Sequence, residues 1–442
     1  MKIFYYILII ILFQNCSFDN KSGIWKNSSD QIKKVNKNLK DFKKIVLENE
    51  NFFNETLQID KKFQFFLTPP SSPSKWNDIF YNGNNVHDNF SYNDENKLAF
   101  QSGKLSRKKI DENILFDNNI FITSDSKGNI LVYSLENKKI LYKYNFYKNK
   151  FKNIEKKLYY IIMDGLLYVS DNLGYLYVYN YFENKLVWAK KFDAPFRSNI
   201  KIDNKKIVLA DENNNLFIAD VKNGNILRKI PTEEVLIKNN FENNISTNKK
   251  NLFFLNTFGS LYSINKEDLR LNWFVNINSS LESNMDKIFY SNEIKVLNTH
   301  LIISTNNILQ VLDSENGSTK FRIPISSQIS PIINNDYIFI VTNNNYLVSI
   351  QVSTGKIIYS YEITQLISNF LKSKKKKINV NFIKLINNQI FVFLDNSFVV
   401  KLSISGVLKD IYKLPKKINS NIIFIDNSLI YLNSKNKITI LN

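Results

Sequence analysis

From Asn118 to the C-terminus one unit recurs eight times: an apolar strand, a tight polar turn, a second apolar strand, another turn, and a third strand that carries an aromatic residue. The first turn sets the register at Gly128, Gly174, Asn214, Gly259, Asn307, Asn345, Ser397 and Asn436, with steps of 38 to 52 residues. A four-stranded β-propeller blade has this period. The repeat therefore predicts a radial array whose loops and rims carry function, not a domain built around one pocket.

Turn chemistry agrees with the repeat. Each register residue must let the chain reverse between two strands, which often requires a positive φ; Gly adopts it freely and Asn is the usual substitute. Short apolar runs precede the turns, such as Ile120–Ile122, Leu166–Val169 and Tyr337–Ile340. Others follow them, such as Leu131–Tyr133, Leu176–Tyr179 and Leu347–Ile350. Runs of this length, rich in β-branched and aromatic residues, read as strands packed on both faces. They are too short and too well punctuated for buried helices.

The second turn leads into the outer strand, as in Val352-Ser353-Thr354-Gly355-Lys356 before Ile357-Ile358-Tyr359. Four residues past that turn stand Tyr142, Trp188, Arg228, Trp273, Phe321 and Tyr359 in successive blades. A broad flat side chain at this place can cover the seam between neighbouring blades. The last unit stops at Asn442 without an outer strand, so an earlier segment should supply it. Residues 97–105, just ahead of the first blade, are expected to close the ring.

The fold class this predicts is all-β: an eight-bladed propeller of four-stranded blades over residues 76–442, behind an N-terminal signal and tether. The net charge of +19 does not make a nucleic-acid surface, because the lysines are scattered among turn asparagines without an aromatic-interleaved stripe. The densest run, Lys374 to Lys377, falls in the connector between blades six and seven and reads as a solvated loop.

The N-terminus is the second strong signal. Met1-Lys2 precedes an unbroken apolar run, Ile3 to Phe13, too short to span a bilayer and suited to a secretory signal. Cys16, the single cysteine, follows that run and cannot form an intramolecular disulfide. Its place resembles the lipid-acceptor cysteine of bacterial lipoproteins, and Ser17 after it implies sorting to the outer membrane. Residues 1–16 are thus expected to be a lipoprotein-type signal and 17–75 a tether. Apolar residues at three- and four-residue steps (Ile32, Val35, Leu39, Phe42, Ile45, Val46) predict a helix from Asp30 to about Glu50 within it.

Catalytic signatures are missing from the sequence. Its two histidines, His87 and His300, lie in different units, and no metal-ligand spacing, nucleophile elbow or phosphate-cradling loop occurs. His87 is expected in the segment that closes the ring and His300 on a strand beside a turn. No catalytic residue, metal or cofactor is assigned.

Segments such as Leu347–Lys356 resemble the PQQ-type propeller repeat, in which a D-x-x-T-G-x-x-x-W turn docks an aromatic between blades. Quinoprotein alcohol dehydrogenases share that repeat, but nothing here matches their quinone and calcium segments. Eight such repeats behind a lipobox-like cysteine resemble the BamB family of outer-membrane assembly lipoproteins. That resemblance implies a non-enzymatic, lipid-anchored scaffold facing the periplasm. It would dock on a periplasmic domain of the barrel-inserting subunit BamA and come close to unfolded barrel precursors. In the family, loops opening the third and fourth blades make that contact; they correspond here to Pro195, Phe196 and Arg197, and loosely to Glu242. The resemblance implies Arg197 as a bidentate partner for a carboxylate and Phe196 as its apolar anchor. An envelope propeller that binds a different protein or cell-wall partner stays open as the alternative, with a quinoprotein-like enzyme behind it.

Overall fold

The computed structural model describes residues 53–442, apart from 149, 235–240, 279–288, 306 and 375. The expected signal, Cys16 and the helix from Asp30 to Glu50 all lie outside the described residues. Among the described residues are eight four-stranded antiparallel sheets, each the blade of a propeller. Blade one runs from Leu115–Asp117 to Lys139–Asn145, blade two from Leu158–Met163 to Lys185–Lys191, and blade three from Lys201–Asp203 to Ile226–Ile230. Blades four to seven begin at Asn244, Lys295, Ile332 and Val380. The short first strands of successive blades adjoin one another around the axis.

Burial explains which strand goes where. Second and third strands are largely apolar and mostly buried, as in Ile120–Ser124 and Leu176–Val178, because both faces of each blade stack on a neighbour. Fourth strands, such as Lys185–Lys191 and Ile226–Ile230, are mostly exposed and form the rim. Between third and fourth strands a one-residue register shift recurs in blades one to seven, for example at Val178/Tyr179 and Ser349/Ile350. Such bulges increase local twist, which each blade needs from axis to rim.

The register turns take the expected conformation: φ is +78° at Gly128, +81° at Gly174, +63° at Asn214 and +62° at Asn345. A polar side chain secures most of them. Asp171 Oδ1 accepts from the Leu173 and Tyr175 amides, both at 2.8 Å, and Asp211 and Asn256 repeat this on Asn213/Asn215 and Phe258/Ser260. Two otherwise orphaned donors are satisfied within each turn.

Ring closure occurs as the incomplete last unit requires. Leu98–Gln101 pairs antiparallel with Ile438–Leu441 and becomes the fourth strand of blade eight. The Lys97 and Asn442 backbones exchange two hydrogen bonds, and Ser102 N–H reaches Ile438 O at 3.0 Å.

Residues 76–90 do something the repeat does not announce. They thread the axis and touch the first strand of blade after blade. Trp76 bridges Phe116, and Asp78 bridges Ile161 and ion-pairs with Lys201. Asn85 Nδ2 donates to Ile245 O and Ile294 O, and Phe90 bridges Ile386. His87 therefore belongs to this axial plug and not to the closing strand. Ahead of the plug, Leu57 pairs with Ser360 on the rim of blade six, and Phe63 and Phe65 pack on Tyr337. The residues from 57 onward thus run along the ring. The connector from blade six to seven also holds a helix, Ile363–Phe370, where a loop was expected.

Candidate functional site

An antiparallel meander puts its turns alternately at two ends. The register turns and the connectors into each new blade share one end, where they pair through bridges such as Ile110 with Asp125, Phe196 with Asp211 and Ile418 with Asn433. At the opposite end Ser71–Asn96 crosses the axis. There Asn427 N–H meets Ser72 Oγ, Asn93 N–H meets Asn427 O, and Asn387 N–H meets Phe90 O. The first end instead holds an open funnel of about 740 Å³ whose floor includes Ile79 and Phe80 of the plug.

Its wall is polar and of mixed sign. Lys109, Asp111 and Glu112 come from the connector into blade one, Lys156 and Lys157 from that into blade two, and Glu242 from that into blade four. Lys157 and Glu242 form an ion pair across blades, with side chains half and one-third exposed. Burial pushes Asp111 up to about 6, opposed by the amide of Asn113. Tyr159, buried beside Glu242, is held well above the ordinary phenol range, first by burial and then by that carboxylate, while Arg197 pulls the other way.

The structure brings the two family-derived loops together. Ser198 and Asn243 form a parallel bridge, Asn243 N–H donates to Arg197 O at 3.0 Å, and Arg197 N–H donates to Ala210 O at 2.9 Å. Arg197 is partly exposed and its charge reaches Tyr159, which places it in one cluster with Glu242 and Lys157. Pro195 is partly exposed, its carbonyl held by the Glu212 amide. Phe196 is corrected. Its ring is 1% exposed and packs edge-on against Phe192 and Phe217. Neighbours in an extended segment point to opposite sides, so the bridge to Asp211 that turns Arg197 outward turns Phe196 into the core. It cannot anchor a partner.

Lys157, Tyr159 and Asp111 were not selected from the sequence. Each stands at the connector-to-strand junction of its blade, and that recurring position was the signal that could have found them. His300 opens the second strand of blade five, as expected, and His87 lies in the plug; neither lines the funnel. Among the described residues no group of His, Cys, Asp and Glu could hold a metal ion, and no helix is long and apolar enough to cross a membrane.

Comparison with known proteins agrees with the fold. The model of a family described as outer membrane protein assembly factor BamB matches residues 155–361, which span blades two to six. BamB from Moraxella catarrhalis superposes with a TM-score of 0.59 at 13% identity, covering 78% of this chain and 99% of that one. The computationally designed Ika8 protein gives 0.57 at 11% identity over 78% and 99% of the two chains. Quinohemoprotein alcohol dehydrogenase from Comamonas testosteroni gives 0.60 at 8% identity over 84% and 81%. At these identities the structural likenesses speak for the propeller alone. No curated protein matches the chain in sequence.

Proposed function

We propose that this BamB-like propeller is a non-catalytic scaffold of the outer-membrane β-barrel assembly machinery. It docks through its funnel end on the periplasmic region of the barrel-inserting subunit. The observation that carries this reading is a coincidence of two findings. The family match covers blades two to six, and within it the two connectors expected to touch the partner lie side by side, with Arg197 and Glu242 in one accessible cluster that Lys157 joins. A scaffold needs an accessible patch with charge complementarity, which sets partner choice and on-rate more than affinity. Cys16 is the proposed lipid acceptor that holds the protein at the outer membrane, on its periplasmic side.

Binding to the purified periplasmic region of a barrel-inserting outer-membrane protein tests the reading. Glu242→Lys and Lys157→Glu should each weaken it about tenfold, the cost of one mispaired interfacial charge, with unchanged melting. The charge-swapped double variant keeps the internal ion pair but reverses the patch, and should bind as poorly as either single one. Normal binding by all three would refute the docking site, and no binding by the wild type would refute the partner. Incorporation of labelled palmitate, lost in Cys16→Ala, checks the anchor; label retained in that variant would contradict it.

A further inference from the structure

On the axis, where the plug passes blade seven, Lys384 Nζ lies 3.0 Å from His87 Nδ1. When Lys384 is charged its ammonium only donates, so Nδ1 accepts and the imidazole proton sits on Nε2. Nothing else among the described residues bonds to either side chain. Both residues keep some accessible surface.

The charges around them do not balance. Lys201 is matched by Asp78 at 2.6 Å and Lys295 by Glu293 at 2.8 Å. Lys384 has no carboxylate of its own. Asp88, next to His87, turns away to Ser71 and Tyr81, with its Oδ2 3.0 Å and 2.6 Å from their hydroxyls. Three lysines thus share two carboxylates along the axis, and a surplus charge there is costly to hold.

We infer that this position is a binding site for a small oxyanion, held by the Lys384 ammonium and by His87 Nε2–H. Around the imidazole stand the rings of Trp76, Tyr81 and Phe90, centred 5.8 to 6.0 Å away. They limit the ligand to a compact group of phosphate or carboxylate size. Burial, with Lys295 nearby, pushes Lys384 down to about 7, and a bound anion would favour the charged form.

The sequence offers a clean probe, because His87 and His300 are its two histidines. In the full chain with ¹⁵N-labelled histidine, His300→Gln assigns the ring signals. Inorganic phosphate should then shift the His87 Nε2 resonance saturably at neutral pH, leaving that of His300 in place. Acetate in a parallel titration distinguishes a phosphate site from a carboxylate one. Lys384→Met should weaken binding at least about tenfold, the worth of one charge-assisted hydrogen bond, and Lys384→Arg should restore most of it. Absence of a saturable His87 shift with either anion would overturn the assignment, as would unchanged binding in Lys384→Met.

Discussion

Trp188 shows how single residues lock the seams. Its indole N–H donates to Val221 O at 3.1 Å, and its ring lies on Gly224 of the next blade so closely that a Cβ there would sit 2.6 Å from it. Trp273 repeats this on Ser314 O and Gly317, and Tyr359 sends its hydroxyl to Ile404 O. Between blades three and four the arrangement changes. Arg228 stands exposed at the aromatic position, Leu269 with φ +59° takes the glycine's place, and Lys206 Nζ supplies the donor to Lys266 O at 3.1 Å. Arg228→Trp alone should therefore fail to stabilise, because the ring meets Leu269. Combined with Leu269→Gly it should gain about 1 kcal/mol in denaturant unfolding, a coupling read from the double-mutant cycle. Additive effects would contradict the docking geometry. Lys384 adds a pH signature. Its folded pKa lies below its unfolded one, so between about 7 and 10 the unfolded chain binds more protons and stability rises with pH. Unfolding at pH 7.5 and 9.5 should show a smaller rise in Lys384→Met than in the wild type; equal rises would contradict the shift. The aromatic positions were readable from their fixed spacing. The inward turn of Phe196 was not, because spacing marks a loop without saying which side chain faces in.

At the scale of elements, closure and plug behave differently as sequence. The closing strand was legible because a unit ending at Leu441 lacks an outer strand, and Lys97–Phe100 is an apolar stretch ahead of blade one. The plug was hidden because Trp76, Phe80, Tyr81, Val86 and Phe90 have no regular period; Trp76 and Phe90 meet different blades, and Tyr81 packs on the plug's own residues. The helix Ile363–Phe370 did carry a three- and four-residue apolar spacing, but the lysines after it pointed to a loop. Closure offers a sharp test at Ser102. Its N–H bonds to Ile438 O and its hydroxyl accepts from Ile438 N–H at 2.9 Å. Ser102→Pro removes both and should destabilise the ring by about 2–4 kcal/mol in one cooperative transition, since every blade depends on closure. Gly103→Ala, whose added Cβ meets nothing within 4 Å, is the control. Equal melting of the two variants would contradict closure as a source of global stability.

The whole molecule has two unlike ends. One is crossed at its centre by Ser71–Asn96, and the other opens into a funnel ringed by the connectors. The polarity arises because the plug meets the turns that follow the first strands, at Asn387 and Asn427, and leaves the connector end uncovered. Function, on this account, belongs to the open end. The repeat made the ring legible, yet which end is open follows from the plug and could not be read. The most direct test is photo-crosslinking in cells. A crosslinking residue at Glu155 or Lys157, beside the funnel, should capture the barrel-inserting outer-membrane subunit, while one at Lys205 or Ser353, exposed turn positions of the crossed end, should not. Capture from the crossed end alone, or of an unrelated envelope protein from the funnel, would contradict the account.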